Sequence, residues 1–203
     1  MARWGPGSPR NTNAMSPAAQ LHDDALVIDS HNDSIVYHIR AGNRSLVGRE
    51  PGWAGDRGGL VSYLRGPHEG SVHPLQLNLE KMIVGGVDAA FFAVDVTRPW
   101  RNHLPYFLDA LGFFLTDLSD QDRLVVARTA SELERARAEG RRAALLVIEN
   151  SDALEGSLHI LRTFYDLGVR SITLTHNPLS LEAAGNGEAE SGGGLTQFGV
   201  ALV

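Results

Sequence analysis

The chain has 203 residues, of which 43% are apolar and 21% are charged, with a net charge of −6 and no cysteine. This length and apolar content suit one globular domain with a buried core. The acidic balance, without a cluster of Lys and Arg, argues against nucleic acid as a partner, and the lack of cysteine excludes disulfides and thiolate metal sites. Any metal must therefore be held by histidine and carboxylate side chains, and small-molecule chemistry is the expected function.

The N-terminal segment is rich in Pro, Gly, Ala and Asn and has no continuous apolar run. We expect residues 1–20 to form a flexible tail and residues 21–203 to form the folded domain. No apolar stretch approaches the roughly 20 residues that cross a bilayer. The sequence therefore predicts no membrane span and a cytoplasmic location.

A short apolar run at residues 25–28 predicts the first strand and leads directly into Asp29-Ser30-His31-Asn32-Asp33. Side chains two positions apart in a strand point to the same face, so His31 and Asp33 can converge on one point. Imidazole and carboxylate are common zinc ligands. In the structural alternative, Asp33 caps the following helix and His31 lies exposed in a turn.

The rest of the chain alternates helical and strand patterns. In the first half of the chain we expect a helix over 34–42, a loop over 43–70, a helix from Leu75 that ends at Gly85 and a strand over 87–96. A helix over 104–118 and a helix capped by Ser131 and Glu134 that ends at Gly140 come next, followed by a strand over 143–149. The last predicted elements are a helix over 158–167, a strand over 169–175, a loop over 183–194 and a helix that follows Thr196. Apolar strands that alternate with helices are typical of an α/β fold with a parallel sheet.

Three of the four predicted strands end in residues that can bind a metal or transfer a proton. These are His31 and Asp33 after the first strand, Glu149 at the end of the third, and His176 after the fourth. In a parallel barrel the carboxyl ends of the strands share one mouth, so these side chains are expected to converge in a site. In the alternative, Glu149 marks the sheet surface or caps a helix, and His176 is a hydrogen-bonded turn residue. The remaining histidines are expected at the surface: His22, His38, His68, His73, His103 and His159.

Several motifs together resemble the membrane (renal-type) dipeptidases, the M19 peptidase family of binuclear zinc enzymes. They occur in the order and approximate spacing of that family. The matching pieces are IDSHND at 28–33, GGVDAAFFAV at 85–94, Ile148-Glu149, LHILRTFYDLGVRSITLTHN at 158–177 and GLTQFG at 194–199.

This resemblance implies an α/β fold that is the N-terminal half of a TIM-like (β/α)8 metallo-hydrolase barrel, with about four parallel strands present. A complete barrel needs about 250 residues, so we expect a fragment that is inactive alone. The implied function is zinc-dependent hydrolysis of dipeptides, including those with a D-configured C-terminal residue. The full-length protein is expected to be a homodimer.

The resemblance also implies a role for each site residue. His31 and Asp33 would ligate the first zinc, Glu149 would bridge two zincs, and His176 would contact the substrate and the developing oxyanion. A hydroxide that bridges the metals would attack the peptide bond. The histidines of the second zinc would come from strands beyond residue 203.

Two other functions stay open at this point. One is a different metal-dependent amidohydrolase on the same barrel, acting on a cyclic amide or ester, although such enzymes usually carry H-x-H rather than H-x-D on the first strand. The other is an inactive fragment, or a half-barrel that assembles with another chain. The sequence also departs from the family after Glu149, where Asn150-Ser151 stands in place of the common glycines.

Overall fold

The computed structural model describes residues 16–36, 45–49, 75–97, 102–176, 180, 183 and 193–203. Its helices are α1 (Pro17–Asp24), α2 (Leu79–Val84), α3 (His103–Leu118), α4 (Ala130–Ala138), α5 (Leu158–Leu167) and α6 (Gln197–Leu202). Its strands are β1 (Ile28–Asn32), β2 (Ala89–Asp95), β3 (Leu124–Val126), β4 (Arg142–Glu149) and β5 (Val169–Thr173). A 3₁₀ turn, Ser151–Leu154, follows β4.

All the described strands run parallel in one sheet, which confirms the predicted α/β class. Strand β2 lies between β1 and β4. On the other side of β4, β3 pairs with the first residues of β4, and β5 pairs with the last residues of β4. Asp95 lies opposite Glu149, and Glu149 lies opposite Thr173. The carboxyl ends of these strands therefore meet at one edge of the sheet.

Aromatic side chains join helix α3 to the sheet and to α5. Phe114 packs on Phe92 of β2 with ring centroids 5.3 Å apart, and Phe107 packs on Phe164 of α5 at 4.6 Å. All four rings are buried. Burying an aromatic or aliphatic side chain of this size contributes about 1.5–3 kcal/mol, so this contact layer fixes the strands against the helices.

A buried carboxylate ties residues 45–49 to the last turn of α3. The Asp117 carboxylate accepts hydrogen bonds from the Ser45 hydroxyl at 2.7 Å and from the Leu46 backbone N–H at 2.6 Å. Arg49 Nε lies 3.5 Å from Asp117 Oδ1. Burial raises the pKa of Asp117, while these hydrogen bonds and the Arg49 charge oppose the rise. We call these four residues the Asp117 clamp.

Helix α1 lies partly inside residues 1–20, the segment that the sequence predicts as a flexible tail. The helix begins at Pro17, inside the predicted tail over 1–20, because the Ser16 hydroxyl caps it by accepting the Ala19 N–H at 3.2 Å. His22 Nε2 lies 2.9 Å from the Gly85 carbonyl oxygen, which connects α1 to the end of α2. Residues 1–15 lie outside the described residues.

The structure also corrects the predicted capping box. The cap of α4 is Thr129, whose hydroxyl accepts the Glu132 N–H at 3.2 Å, and the Glu132 carboxylate accepts the Arg128 N–H at 2.6 Å. The predicted pair, Ser131 and Glu134, has the same three-residue spacing but lies inside the helix. Spacing alone leaves two registers, and the end of β3 selects the earlier one.

Other boundaries move by a few residues. Strand β1 begins at Ile28 rather than 25, because the Val27 N–H donates to the Asp88 carboxylate instead of to a neighbouring strand. Helix α2 begins at Leu79 rather than Leu75, since the Asn78 side chain caps it. Strand β3 was not predicted, because its three residues are too few to show a period. The predicted helices over 104–118, over 158–167 and after Thr196 are confirmed.

Some expectations fall partly on residues that the structure does not describe. Residues 34–36 are helical, as predicted, but 37–44 lie outside the described residues. The same holds for residues 50–70 and 184–192 of the two predicted loops.

Candidate metal centre

The end of β1 presents His31 and Asp33 together. Between them, the Asn32 side chain donates from Nδ2 to the Phe91 carbonyl at 2.9 Å and accepts the Ser34 N–H at 3.2 Å. These two bonds fix the backbone between strand and helix, so the flanking side chains share an orientation. His31 Nε2 lies 3.6 Å from Asp33 Oδ1.

Glu149, the last residue of β4, brings the other strand ends into the same place. It is 7% exposed, and each of its carboxylate oxygens faces a different histidine. Oε2 lies 3.4 Å from His31 Nε2, and Oε1 lies 3.5 Å from Nε2 of His176, which follows β5. The structure thus places all four residues that the sequence singles out at one edge of the sheet. We call His31, Asp33, Glu149 and His176 the carboxyl-edge cluster.

Asp95 is a further acidic residue at this edge, and it was not among the predicted site residues. It is the last residue of β2 and pairs in register with Glu149, so both side chains leave the same face of the sheet. The Thr97 N–H donates to Asp95 Oδ1 at 2.7 Å. The rule applied to the other strands, a charged residue that closes an apolar run, would have found it.

The electrostatics of the cluster favour a bound cation. Burial, followed by the negative charges of Asp33 and Asp95, raises the pKa of Glu149 to about 7, and the nearby His31 opposes this rise. Carboxylates that approach each other in a partly buried site destabilise one another's charged forms. A divalent cation among them would remove that penalty.

The donor atoms also fit a metal. One ligand atom each from His31, Asp33 and Glu149 lies within 4.8 Å of the other two. Zinc bonds of about 2.0–2.1 Å in a tetrahedron place neighbouring ligand atoms about 3.3 Å apart, close to the 3.4 and 3.6 Å seen here. Asp33 Oδ1 and His176 Nδ1 are buried without a hydrogen-bond partner in the described structure. Oxygen and imidazole donors in this arrangement suit zinc.

A parallel sheet with histidine and carboxylate side chains at its carboxyl edge is an arrangement found in metal-dependent α/β enzymes. The model of the membrane dipeptidase family, peptidase family M19, matches residues 15–203. The chain belongs to this family. It is also 30% identical to the dipeptidase verJ of Clonostachys rogersoniana in an alignment that covers 93% of this chain and 48% of that protein.

Two solved structures share the fold. A metallopeptidase from Rhodobacter sphaeroides, described as liganded with a phosphinate mimic of the dipeptide L-Ala-D-Ala, has a TM-score of 0.67 and 24% identity over 87% of this chain and 54% of its own. An amidohydrolase from Pseudomonas aeruginosa has a TM-score of 0.56 and 21% identity over 91% of this chain and 43% of its own. The chain thus spans about half the length of these relatives. Among its described helices, none has the length and apolar character needed to cross a membrane.

Proposed function

We propose that this chain carries part of the active site of a zinc-dependent dipeptidase. The observation that supports this most is the convergence of His31 and Asp33 from the end of β1 with Glu149 from the end of β4, with ligand atoms within 4.8 Å of one another. Membership of the dipeptidase family supports the reaction class. Zinc, when bound, lowers the pKa of water to about 7 and polarises the carbonyl of the scissile bond.

The geometry supports distinct roles for the metal-binding residues. His31 and Asp33 would hold one zinc, with Glu149 as the third ligand. Glu149 would also bridge to a second zinc, because its two oxygens face opposite neighbours, His31 and His176. A carboxylate that binds two metal ions at once must direct its two oxygens toward different ions.

His176 would act on the substrate rather than on the metal. Its ring is 42% exposed and faces the cluster through Nε2. An Nε2–H at this position can donate a hydrogen bond to the oxygen that becomes negative during attack on the carbonyl. The proposed substrates are dipeptides, and the ligand of the Rhodobacter sphaeroides relative favours L-Ala-D-Ala as the first one to assay.

The central test is Glu149→Gln in the protein encoded by the whole reading frame that contains this chain. Replacing one carboxylate oxygen by an amide nitrogen should lower kcat/KM for L-Ala-D-Ala and should reduce the amount of bound zinc. The loss in kcat/KM should exceed the roughly 100-fold that is typical when an outer-shell partner is removed. Glu155→Gln is the matched control, because Glu155 is exposed and lies outside the cluster. Unchanged turnover and zinc content in Glu149→Gln would refute the proposal.

The wild-type protein from the whole reading frame distinguishes the two alternative functions, a different amidohydrolase and an inactive fragment. Hydrolysis of a cyclic amide with no activity on dipeptides would favour a different amidohydrolase, the description carried by the Pseudomonas aeruginosa neighbour. Assaying the 203-residue chain beside the whole reading frame tests the inactive-fragment hypothesis. Activity in the longer protein alone would show that the carboxyl-edge cluster needs groups from outside this chain.

A further inference from the structure

The residue that follows Glu149 has an unusual backbone. Asn150 is completely buried and has φ +72°, in the left-handed region that favours glycine. Asparagine enters this region more readily than other residues with a side chain, but glycine does so without steric cost. An asparagine here therefore indicates that its side chain contributes something that the backbone conformation does not require.

The Asn150 amide is held on both sides. Oδ1 accepts the Asp152 N–H at 3.2 Å, and Nδ2 donates to the Asp152 carboxylate at 3.2 Å. Nδ2 also makes a longer contact, 3.5 Å, with the Thr97 hydroxyl, two residues beyond Asp95. The amide thus connects the turn after β4 with the segment that leaves β2.

Neighbouring backbone bonds complete this junction. The Val96 N–H donates to the Glu149 carbonyl at 3.0 Å, which joins β2 to β4 next to Asn150. On the other side, Ser151 donates through its N–H at 3.3 Å, and through its hydroxyl, to the Leu174 carbonyl, two residues before His176. Asn150 therefore lies where the ends of β2, β4 and β5 are fastened together around Glu149.

We propose that Asn150 is a positioning residue, whose buried amide holds the Glu149 carboxylate in its place between His31 and His176. The part of this inference that concerns metal rests on the proposed function, because the carboxylate is positioned there for zinc. The part that concerns the strand junction does not depend on it.

The first test is zinc affinity of the full chain with Asn150→Gly, measured by competition with a chromophoric chelator. Glycine adopts the φ of residue 150 without strain and removes the side chain with its amide, and the glycine control below accounts for the added backbone freedom. We expect zinc binding to weaken by about 10–100-fold, the range for loss of an outer-shell partner. The control is Glu155→Gly, which relieves the positive φ of +48° at an exposed position and should leave affinity unchanged. Wild-type affinity in Asn150→Gly would overturn the proposal.

The second test uses the metal-free chain, with urea unfolding to verify that each variant is folded. Amide hydrogen exchange at Val96 and Ser151 should be at least several-fold faster in Asn150→Gly than in wild type, with no change at Leu146 inside β4. If the Val96 and Ser151 amides exchange at the same rates in Asn150→Gly as in wild type, the positioning role is overturned. If wild type fails to bind zinc but the junction amides of Asn150→Gly exchange faster, the proposed metal function fails and the positioning role stands.

Discussion

Two buried carboxylates in this molecule have opposite surroundings. Asp117 is enclosed by donors, since a hydroxyl, a backbone N–H and a guanidinium all face it. Glu149 faces two other carboxylates, Asp33 and Asp95, and two histidines. Burial is the largest cause of a raised pKa at both groups, but the neighbours of Asp117 oppose the rise and the acidic neighbours of Glu149 add to it.

This difference separates structural from functional acidic residues. A buried acid that has its own donors stabilises local structure, and here it holds residues 45–49 on α3. A buried acid placed against other acids has no such benefit within the chain, so its arrangement is explained by something that binds there. The contrast supports the carboxyl-edge cluster, rather than the Asp117 clamp, as the metal centre that we propose.

The largest effect is expected from breaking the clamp. Asp117→Ala leaves the buried Ser45 hydroxyl and Leu46 N–H without their acceptor and removes the buried carboxylate that faces Arg49, so stability should fall by about 3–5 kcal/mol in urea unfolding. The matched control is Asp120→Ala. Asp120 also faces Arg49, at 3.3 Å, but its side chain is 77% exposed, and removing it should cost less than about 1 kcal/mol. Equal losses in the two variants would mean that burial does not distinguish these acids.

A smaller effect is expected at the substrate side of the carboxyl-edge cluster. His176→Ala should lower kcat for L-Ala-D-Ala by about 10²–10³-fold, the size typical for loss of one oxyanion donor, while zinc content stays unchanged. His159→Ala removes an exposed imidazole from α5 and serves as the control. A loss of zinc in His176→Ala would instead make His176 a ligand and contradict the role that we propose.

The smallest effect concerns pH in the metal-free chain. The folded-state pKa of Glu149, about 7, exceeds its ordinary value of 4.5, so the folded chain binds this proton more tightly than the unfolded chain. Stability should therefore fall as pH rises from about 4.5 to 7, by about 1–2 kcal/mol, and Glu149→Gln should remove this fall. Thermal unfolding in EDTA across this range measures it. Asp117→Asn should keep the Glu149 contribution, and an unchanged pH profile in Glu149→Gln would contradict the assignment.

The order of elements could be predicted because each long element has its own periodic pattern. Helices α3 and α5 show apolar faces over 16 and 10 residues, and β2 and β4 are apolar on both faces. Short or capped features were harder. Strand β3 has only three residues and is defined by its pairing with β4. The two capping-box registers near Thr129 have equal spacing, and the position where β3 ends decides which of them starts the helix.

For the site, the sequence identified residue types and strand ends but not neighbours. His31, Asp33, Glu149 and His176 were found from their positions after apolar runs. Asp95 was missed because the predicted strand runs on to Val96, so Asp95 was not read as a strand end, and its place opposite Glu149 follows from the register of β2 against β4. The role of Asn150 depends on a positive φ and on contacts with residues 53 positions away, which local pattern does not encode.

The sequence by itself determined the α/β class, the family and the kinds of donor that could form a metal site, because these follow from periodicity, composition and motif order. Only the tertiary structure decided which carboxylates share that site. Glu149 and Asp117 are both acids beside apolar residues in the sequence. Packing surrounds Asp117 with donors and brings Glu149 against other acids, and this difference arises from contacts between distant segments.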